Sequence, residues 1–267
     1  MKVPIIPSKL AVPAIPVSYV ARPRLDRLWD GYAEKQLVLV TAGAGFGKTS
    51  FLAANAHASK EKARWYSIDG TDTDLTTFCA HLHELVRPAK RAARHELDVG
   101  DRNFANRVLS GLVRSLSGKN RGTILVLDDV HLLTGATEVL HFIERLVRNL
   151  PAGSTLVLAS REPVGIATMK LRSRGAVATL ASKDLAFTEE EVAGLFARHF
   201  PCATLSRRLR RRIVAQTEGW AAGTEIFFQV LDGSTPDRIE EALDRLGGAS
   251  SGWFSYFAEE VVRQLDG

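Results

Sequence analysis

Eight consecutive residues, Ala42-Gly43-Ala44-Gly45-Phe46-Gly47-Lys48-Thr49, have the types and spacing of a loop that holds phosphate. Glycines at 43, 45 and 47 let the backbone fold its N–H groups inward around an anion. A helix starting at the end of the loop presents its positive N-terminal end to the same anion. Lys48 then reaches the β- and γ-phosphates of a nucleotide, ATP or ADP, and the Thr49 hydroxyl completes a Mg²⁺ shell. Ser50, next in the chain, belongs to the same nucleotide-binding stretch. Alanine stands at 42 where the motif usually carries glycine, a substitution the wider motif tolerates. The competing reading is a glycine-rich turn with no ligand; the apolar strand before the loop and the helical pattern after it weigh against that.

Thr123 to Leu127 is an apolar strand that delivers Asp128 and Asp129 at its C-terminal end, where ligands bind in open α/β sheets. Asp128 suits a magnesium-associated carboxylate, and Asp129 is placed to polarise an attacking water. Two acids after an isolated strand would read equally well as a turn or a helix cap, so it is their place behind the phosphate loop that favours the site. Ser154 to Ser160 is another buried strand. Arg161 after it is a permanently charged, rigid donor suited to sensing a γ-phosphate; the plainer alternative is a surface arginine capping a strand. His131, close to the acidic pair, reads as a structural histidine rather than a base.

These residues need strands that all end at one edge. Gln36 to Thr41 is a continuous apolar run, as expected of a buried strand in a parallel sheet. Strand patterns at Arg64–Asp69, Thr123–Asp128, Ser154–Ser160 and Ala176–Leu180 alternate with helical ones at Thr49–Ser59, Asp74–Arg87, Asn103–Ser117 and Thr137–Asn149. The alternation predicts an α/β fold, a three-layer α/β/α P-loop domain with a mostly parallel sheet. Met1 to Arg24, with Pro4, Pro7, Pro13, Pro16 and Pro23, is expected to be an extended arm rather than a helix. Thr188 with Glu191 three residues on has the form of a capping box. Helices are expected from there on, at Glu189–His199, Leu205–Thr217, Ala221–Leu231, Asp237–Leu246 and Trp253–Gln264. The expected divisions are an arm over 1–24, a nucleotide-binding domain over 25–187, a small all-helical lid over 188–250 and the start of a following domain over 251–267. The chain stops inside a helical pattern, as expected of a piece of something longer.

With 267 residues and 45% apolar content the chain is expected to be globular. Its apolar runs are strand-sized rather than bilayer-sized, and the N-terminus lacks the layout of a signal peptide, so the expectation is a soluble, cytoplasmic protein with no membrane partner. Cys79 and Cys202 lie far apart without metal-ligand spacing and are expected to be buried reduced thiols. The net charge of +5 is modest and partly concentrated at Arg207, Arg208, Arg210, Arg211 and Arg212. These surround an apolar stripe of Leu205, Leu209 and Ile213, the pattern of a solvated helix face. No recognition helix or zinc-finger spacing is present, so direct DNA contact is not expected from this chain.

The set of motifs resembles the STAND class of P-loop ATPases, and within it the large MalT-like activators of the LuxR type. Ile6 to Leu10 and Val20-Ala21-Arg22-Pro23-Arg24-Leu25 look like the family's N-terminal arm, which packs around the adenine base, so the resemblance puts Val20 and Arg22 in the nucleotide site. Trp65 to Asp69 resembles the family's second strand, Asp128 to Leu132 its acidic strand end, and Ser160-Arg161 its sensor arginine. Leu185 to Thr188 resembles the hinge into the lid. Gly219-Trp220-Ala221-Ala222-Gly223 resembles the lid signature near the nucleotide, which gives Trp220 a nucleotide contact beside the plainer role of core residue. Ala42, and Pro23 where related ATPases often carry a glycine-arginine pair, depart from the family's pattern and bear on the adenine side of the site.

The resemblance implies an ADP-bound resting state, an ATP-bound form that self-associates, and slow hydrolysis that resets the switch. It also implies an inducer, small molecule or protein, acting through further domains. A phosphotransferase or steadily cycling ATPase working on a separate substrate is the alternative, with the arginine-rich helix meeting the acceptor. A nucleotide-holding module without hydrolysis is a third.

Overall fold

A computed structural model describes residues 3–32, 34–59, 63–86, 103–117, 122–231 and 236–245. In chain order its elements are α1 (Pro23–Tyr32), β1 (Leu37–Thr41), α2 (Lys48–Ala58), β2 (Ala63–Ser67), α3 (Leu75–Val86), α4 (Phe104–Leu116), β3 (Ile124–Asp128), α5 (Thr137–Asn149), β4 (Thr155–Ser160), α6 (Met169–Arg172), β5 (Val177–Ala181), α7 (Ser182–Leu185), α8 (Glu189–His199), α9 (Arg207–Thr217), α10 (Ala221–Val230) and α11 (Pro236–Arg245). The chain divides into two compact units. One comprises Met1–Ala14, Asp26–Gly43 and Lys48–Ala181, the other Ile15–Leu25, Ala44–Gly47 and Ser182–Gly267.

The first unit is built on a five-stranded sheet in the order β2-β3-β4-β1-β5, with every pairing parallel. β4 is buried at all six positions and β1 at its first four. Runs without polar alternation are what a sheet covered on both faces requires. The covering helices present one apolar side. On α5, Val139, Phe142, Ile143, Leu146 and Val147 are all buried, the spacing that lines one helix face. Phe142 meets Phe78 of α3 edge to face at 6.0 Å, and Trp29 meets Phe51 of α2 at 5.7 Å. β2 stops at Ser67, short of the expected Asp69, because Asp69 caps a 3-10 turn over Gly70–Thr73 with Asp72 answering at its third position.

The N-terminal stretch differs from the extended arm read in the sequence. Pro7–Leu10 forms a 3-10 turn and Pro23 begins α1. Proline lacks the N–H that a first helical turn leaves unbonded anyway, so it starts a helix at no loss. Lys9 in the first turn is buried, and its ammonium pairs with Asp72 at 2.7 Å and Asp69 at 2.9 Å. Tyr66 donates its hydroxyl to Asp72 Oδ1 at 2.6 Å.

In the second unit α8 to α11 enclose Leu195, Phe196, Leu209, Ile213, Phe227, Phe228 and Leu243, with Val20 among them. The Thr188–Glu191 capping box forms. α9 starts at Arg207 rather than Leu205, because Ser206 caps it by accepting from the Leu209 N–H. Arg207, Arg208 and Arg211 are exposed and Arg210 is half-buried; Arg211 pairs with Glu189 at 2.9 Å and Arg208 with Glu240 at 3.2 Å, and Arg212 pairs with Asp244. Cys79 is buried but Cys202, before α9, is exposed, which corrects the expectation of two buried thiols. Arg87 and the helix and domain expected beyond residue 250 lie outside the described residues. Among the described residues no helix is long and apolar enough to cross a membrane.

Candidate functional site

In the first unit the loop leaves β1 at Thr41, and the Ala42 N–H donates to Ser160 O at 3.2 Å, fastening its start to the end of β4. Lys48 opens α2 and is buried. Its ammonium donates to Ala42 O at 2.7 Å and Gly43 O at 2.9 Å, so the charge is turned onto the loop. Burial pulls the Lys48 pKa below its ordinary value, while the charges of Asp128 and Asp129 work against that shift. Ser50 follows on α2, half-buried.

Thr49 donates its hydroxyl to Asp128 Oδ2 at 2.7 Å. The other carboxylate oxygen accepts the Asp129 N–H at 3.0 Å. Asp128 is 2% exposed, and burial raises its pKa above the usual carboxylate range, opposed by the bond from Thr49. A buried carboxylate beside a hydroxyl is a pair of hard oxygen donors that gains from a small cation, and these two residues therefore fit Mg²⁺.

Asp129 lies in the left-handed region, at φ 60° and ψ 36°, where a side chain costs about 1–2 kcal/mol. Such backbone persists where the surroundings impose it, and it clusters at functional sites. The Asp129 carboxylate is half-exposed, so one acid is buried and bonded while the next meets solvent. His131 Nδ1 is 3.8 Å from Asp129 Oδ1 and has no hydrogen-bond partner. Burial lowers the His131 pKa, against the pull of Asp129. Arg161 is exposed after β4, and its charge acts on both Lys48 and His131, lowering their pKa values. Ala42, Gly43, Lys48, Thr49, Asp128, Asp129 and Arg161 are thus gathered at the C-terminal edge of one sheet.

The remaining loop residues, Ala44, Gly45, Phe46 and Gly47, belong to the second unit. Trp220 donates its indole N–H to Ala44 O at 2.9 Å, and the Ala222 N–H donates to Gly45 O at 2.9 Å. Gly45 has φ +76°, and a Cβ there would stand 2.5 Å from Trp220 Nε1, so glycine is required twice over. Val20 is buried among the apolar side chains of α8 to α11. Arg22 is 2% exposed. Its Nη2 donates to Leu185 O at 2.6 Å, Ala186 O at 3.2 Å and Glu191 Oε2 at 3.1 Å, and the guanidinium lies 4.9 Å from the Phe187 ring centre.

Glu191 was legible in the sequence only as a helix cap. It is also the anion for two arginines: Arg24 donates Nε to Oε1 at 3.0 Å and Nη2 to Oε2 at 3.0 Å. Burial alone would raise the Glu191 pKa, but the bonds from Arg22 and Arg24 outweigh it and hold the carboxyl below the usual range. The signal available beforehand was two arginines spaced by one proline in a segment otherwise short of charge, since buried arginines require an acid.

No protein-family model matches the chain. The HTH-type transcriptional regulator MalT of Cronobacter sakazakii is 30% identical to it over 272 residues, covering 98% of this chain and 29% of that protein. MalT of Serratia proteamaculans is 29% identical over 273 residues, with the same coverage. The chain therefore spans less than a third of the length of the curated relatives it matches. Among solved structures, a Walker-type ATPase of Pyrococcus abyssi superposes with a TM-score of 0.50 at 16% identity, over 91% of this chain and 74% of that one. This likeness concerns the fold alone.

Proposed function

We propose that this chain, which is 30% identical to a MalT regulator over 98% of its own length, is the ATP/ADP-binding switch module of a signal-responsive transcriptional regulator, in which slow Mg²⁺-dependent hydrolysis resets an oligomerisation switch. The observation that carries this reading is the Thr49–Asp128 hydrogen bond, which joins the hydroxyl at the end of the phosphate loop to the buried acid at the end of β3. Residues 42–50 cradle the phosphates, Thr49 and Asp128 hold the cation, Asp129 polarises water, and Lys48 and Arg161 neutralise charge on the γ-phosphate. By the family resemblance, Val20, Arg22 and Trp220 are further nucleotide-binding residues. When bound, the magnesium ion neutralises charge on the phosphate oxygens.

In this reading 1–24 is the arm, 25–187 the nucleotide-binding domain, 188–250 the lid and 251–267 the beginning of a further domain. The protein works in the cytoplasm and self-associates with ATP bound. Its inducer acts through other domains, and this part touches no DNA. The rival reading, an enzyme that transfers phosphate or cycles steadily, drew on the arginines of α9. Ion pairs with Glu189, Glu240 and Asp244 occupy Arg211, Arg208 and Arg212, which weakens it.

The deciding experiment is to denature the purified protein and identify the nucleotide it releases by chromatography. Near-equimolar ADP supports the switch. A protein that carries no nucleotide and turns over added ATP rapidly supports the enzyme.

A further inference from the structure

Arg22 is held at one corner and open at the others. Nη2 carries all its hydrogen bonds, to two carbonyls and Glu191. Nε is buried without a partner. Nη1 lies beside the loop, 3.9 Å from where a Cβ on Gly47 would stand. Two guanidinium groups, Arg22 and Arg24, share the single carboxylate of Glu191, and Arg22 is almost fully buried. A buried cation with unused donors beside a loop of backbone N–H groups calls for an anion at that place.

We propose that Arg22 binds a phosphate oxygen of the nucleotide beside Gly47, rather than the base, and that Glu191 is the positioning residue that holds it there. This rests on the nucleotide reading and deepens it. Glu191 is the third residue of α8, so one carboxylate ties the phosphate-binding arginine to the first turn of that helix. Arg24 serves the same geometry from the other side: it fixes both Glu191 oxygens and bonds the carbonyls of Asp184 and Ala186. The carboxylate therefore cannot swing away from Arg22 without breaking a second ion pair.

The test titrates the full chain with ADP, and with adenosine by displacement of a fluorescent ADP analogue, for the parent, Arg22→Met, Glu191→Gln and the double variant. Circular dichroism checks folding. Arg22→Met is expected to lower ADP affinity about 10- to 100-fold, the range for a charged hydrogen bond, and to leave adenosine affinity unchanged. Glu191→Gln keeps the capping box, which glutamine also satisfies. It should lower ADP affinity by a smaller factor, and the double variant should be no worse than Arg22→Met alone.

Unchanged ADP affinity in Arg22→Met overturns the proposal. Equal losses for ADP and adenosine overturn the phosphate assignment, and additive losses in the double variant overturn the positioning role. If Arg22→Met does not fold, Arg22→Lys, which keeps charge without the planar fork, is read by the same criteria. Lys48→Ala tests the underlying reading separately: parental ADP affinity there would remove the phosphate site itself, whatever Arg22 does.

Discussion

Trp220 fills the space that a side chain on Gly223 would need: a Cβ at 223 would lie 2.2 Å from Trp220 Cε3 and 2.8 Å from Cζ3. The indole is held there by its bond to Ala44 O. Gly223→Ala should therefore cost about 1–3 kcal/mol by overpacking. In a Trp220→Ala background the same change should reverse sign and gain up to about 1 kcal/mol, because alanine is the better helix former. Thermal unfolding of the four proteins measures both. An equal cost in the two backgrounds would show that the tryptophan is not the obstacle.

Asp129 gives a prediction in which stability and activity part company. Asp129→Gly and Asp129→Ala should both bind nucleotide and both lose hydrolysis. Glycine accepts the left-handed backbone and alanine does not, so Asp129→Gly should be the more stable by about 1 kcal/mol. Denaturant titration together with phosphate release checks the pair. Loss of binding in Asp129→Ala would move Asp129 into the metal shell or the fold.

The Glu191 ion pairs set a pH dependence. The folded pKa of Glu191 is depressed, so its stabilising contribution is present above the unfolded value, 4.5, and is lost as pH falls through the lower folded value. The difference in melting temperature between the parent and Glu191→Gln should be constant near neutrality and shrink as pH drops below that value. A difference that does not change with pH would mean the carboxylate stabilises only as a cap.

Thiol reactivity should separate the two cysteines. Burial pushes the Cys79 thiol up to about 12 and hides it in the core, whereas Cys202 is exposed. A water-soluble disulfide reagent should label one thiol per folded chain and two after denaturation. Cys202→Ser should abolish the native labelling, and persistent labelling of that variant would place Cys79 within reach of solvent.

The parallel sheet and the gathering of Lys48, Thr49 and Asp128 at its edge were legible because apolar runs and glycine spacing are local signals. Helix α5 was legible to the residue, since its buried face repeats at helical spacing. The turn at Pro7–Leu10 was not, because five prolines read as extended chain and the stabilising partners of Lys9 lie about sixty residues away. The pairing of Arg22 with Glu191 escaped for the same reason. The acid is 169 positions distant, so the two arginines flanking Pro23 called for an acid without indicating which. Asp129 was visible as an acid, but its left-handed backbone was not, since aspartate in that conformation is the exception.

β4 lies between β1 and β3 and pairs with both. The strand leading to the lysine and the strand bearing the acid are therefore two spacings apart, about 9.6 Å, and share no ladder of their own. The central strand acts as a gauge block: its width sets the spacing across which the Thr49 hydroxyl reaches the Asp128 carboxylate. A slip of one residue in its register would turn each of its buried side chains to the opposite face and shift Ser160 away from the loop it fastens.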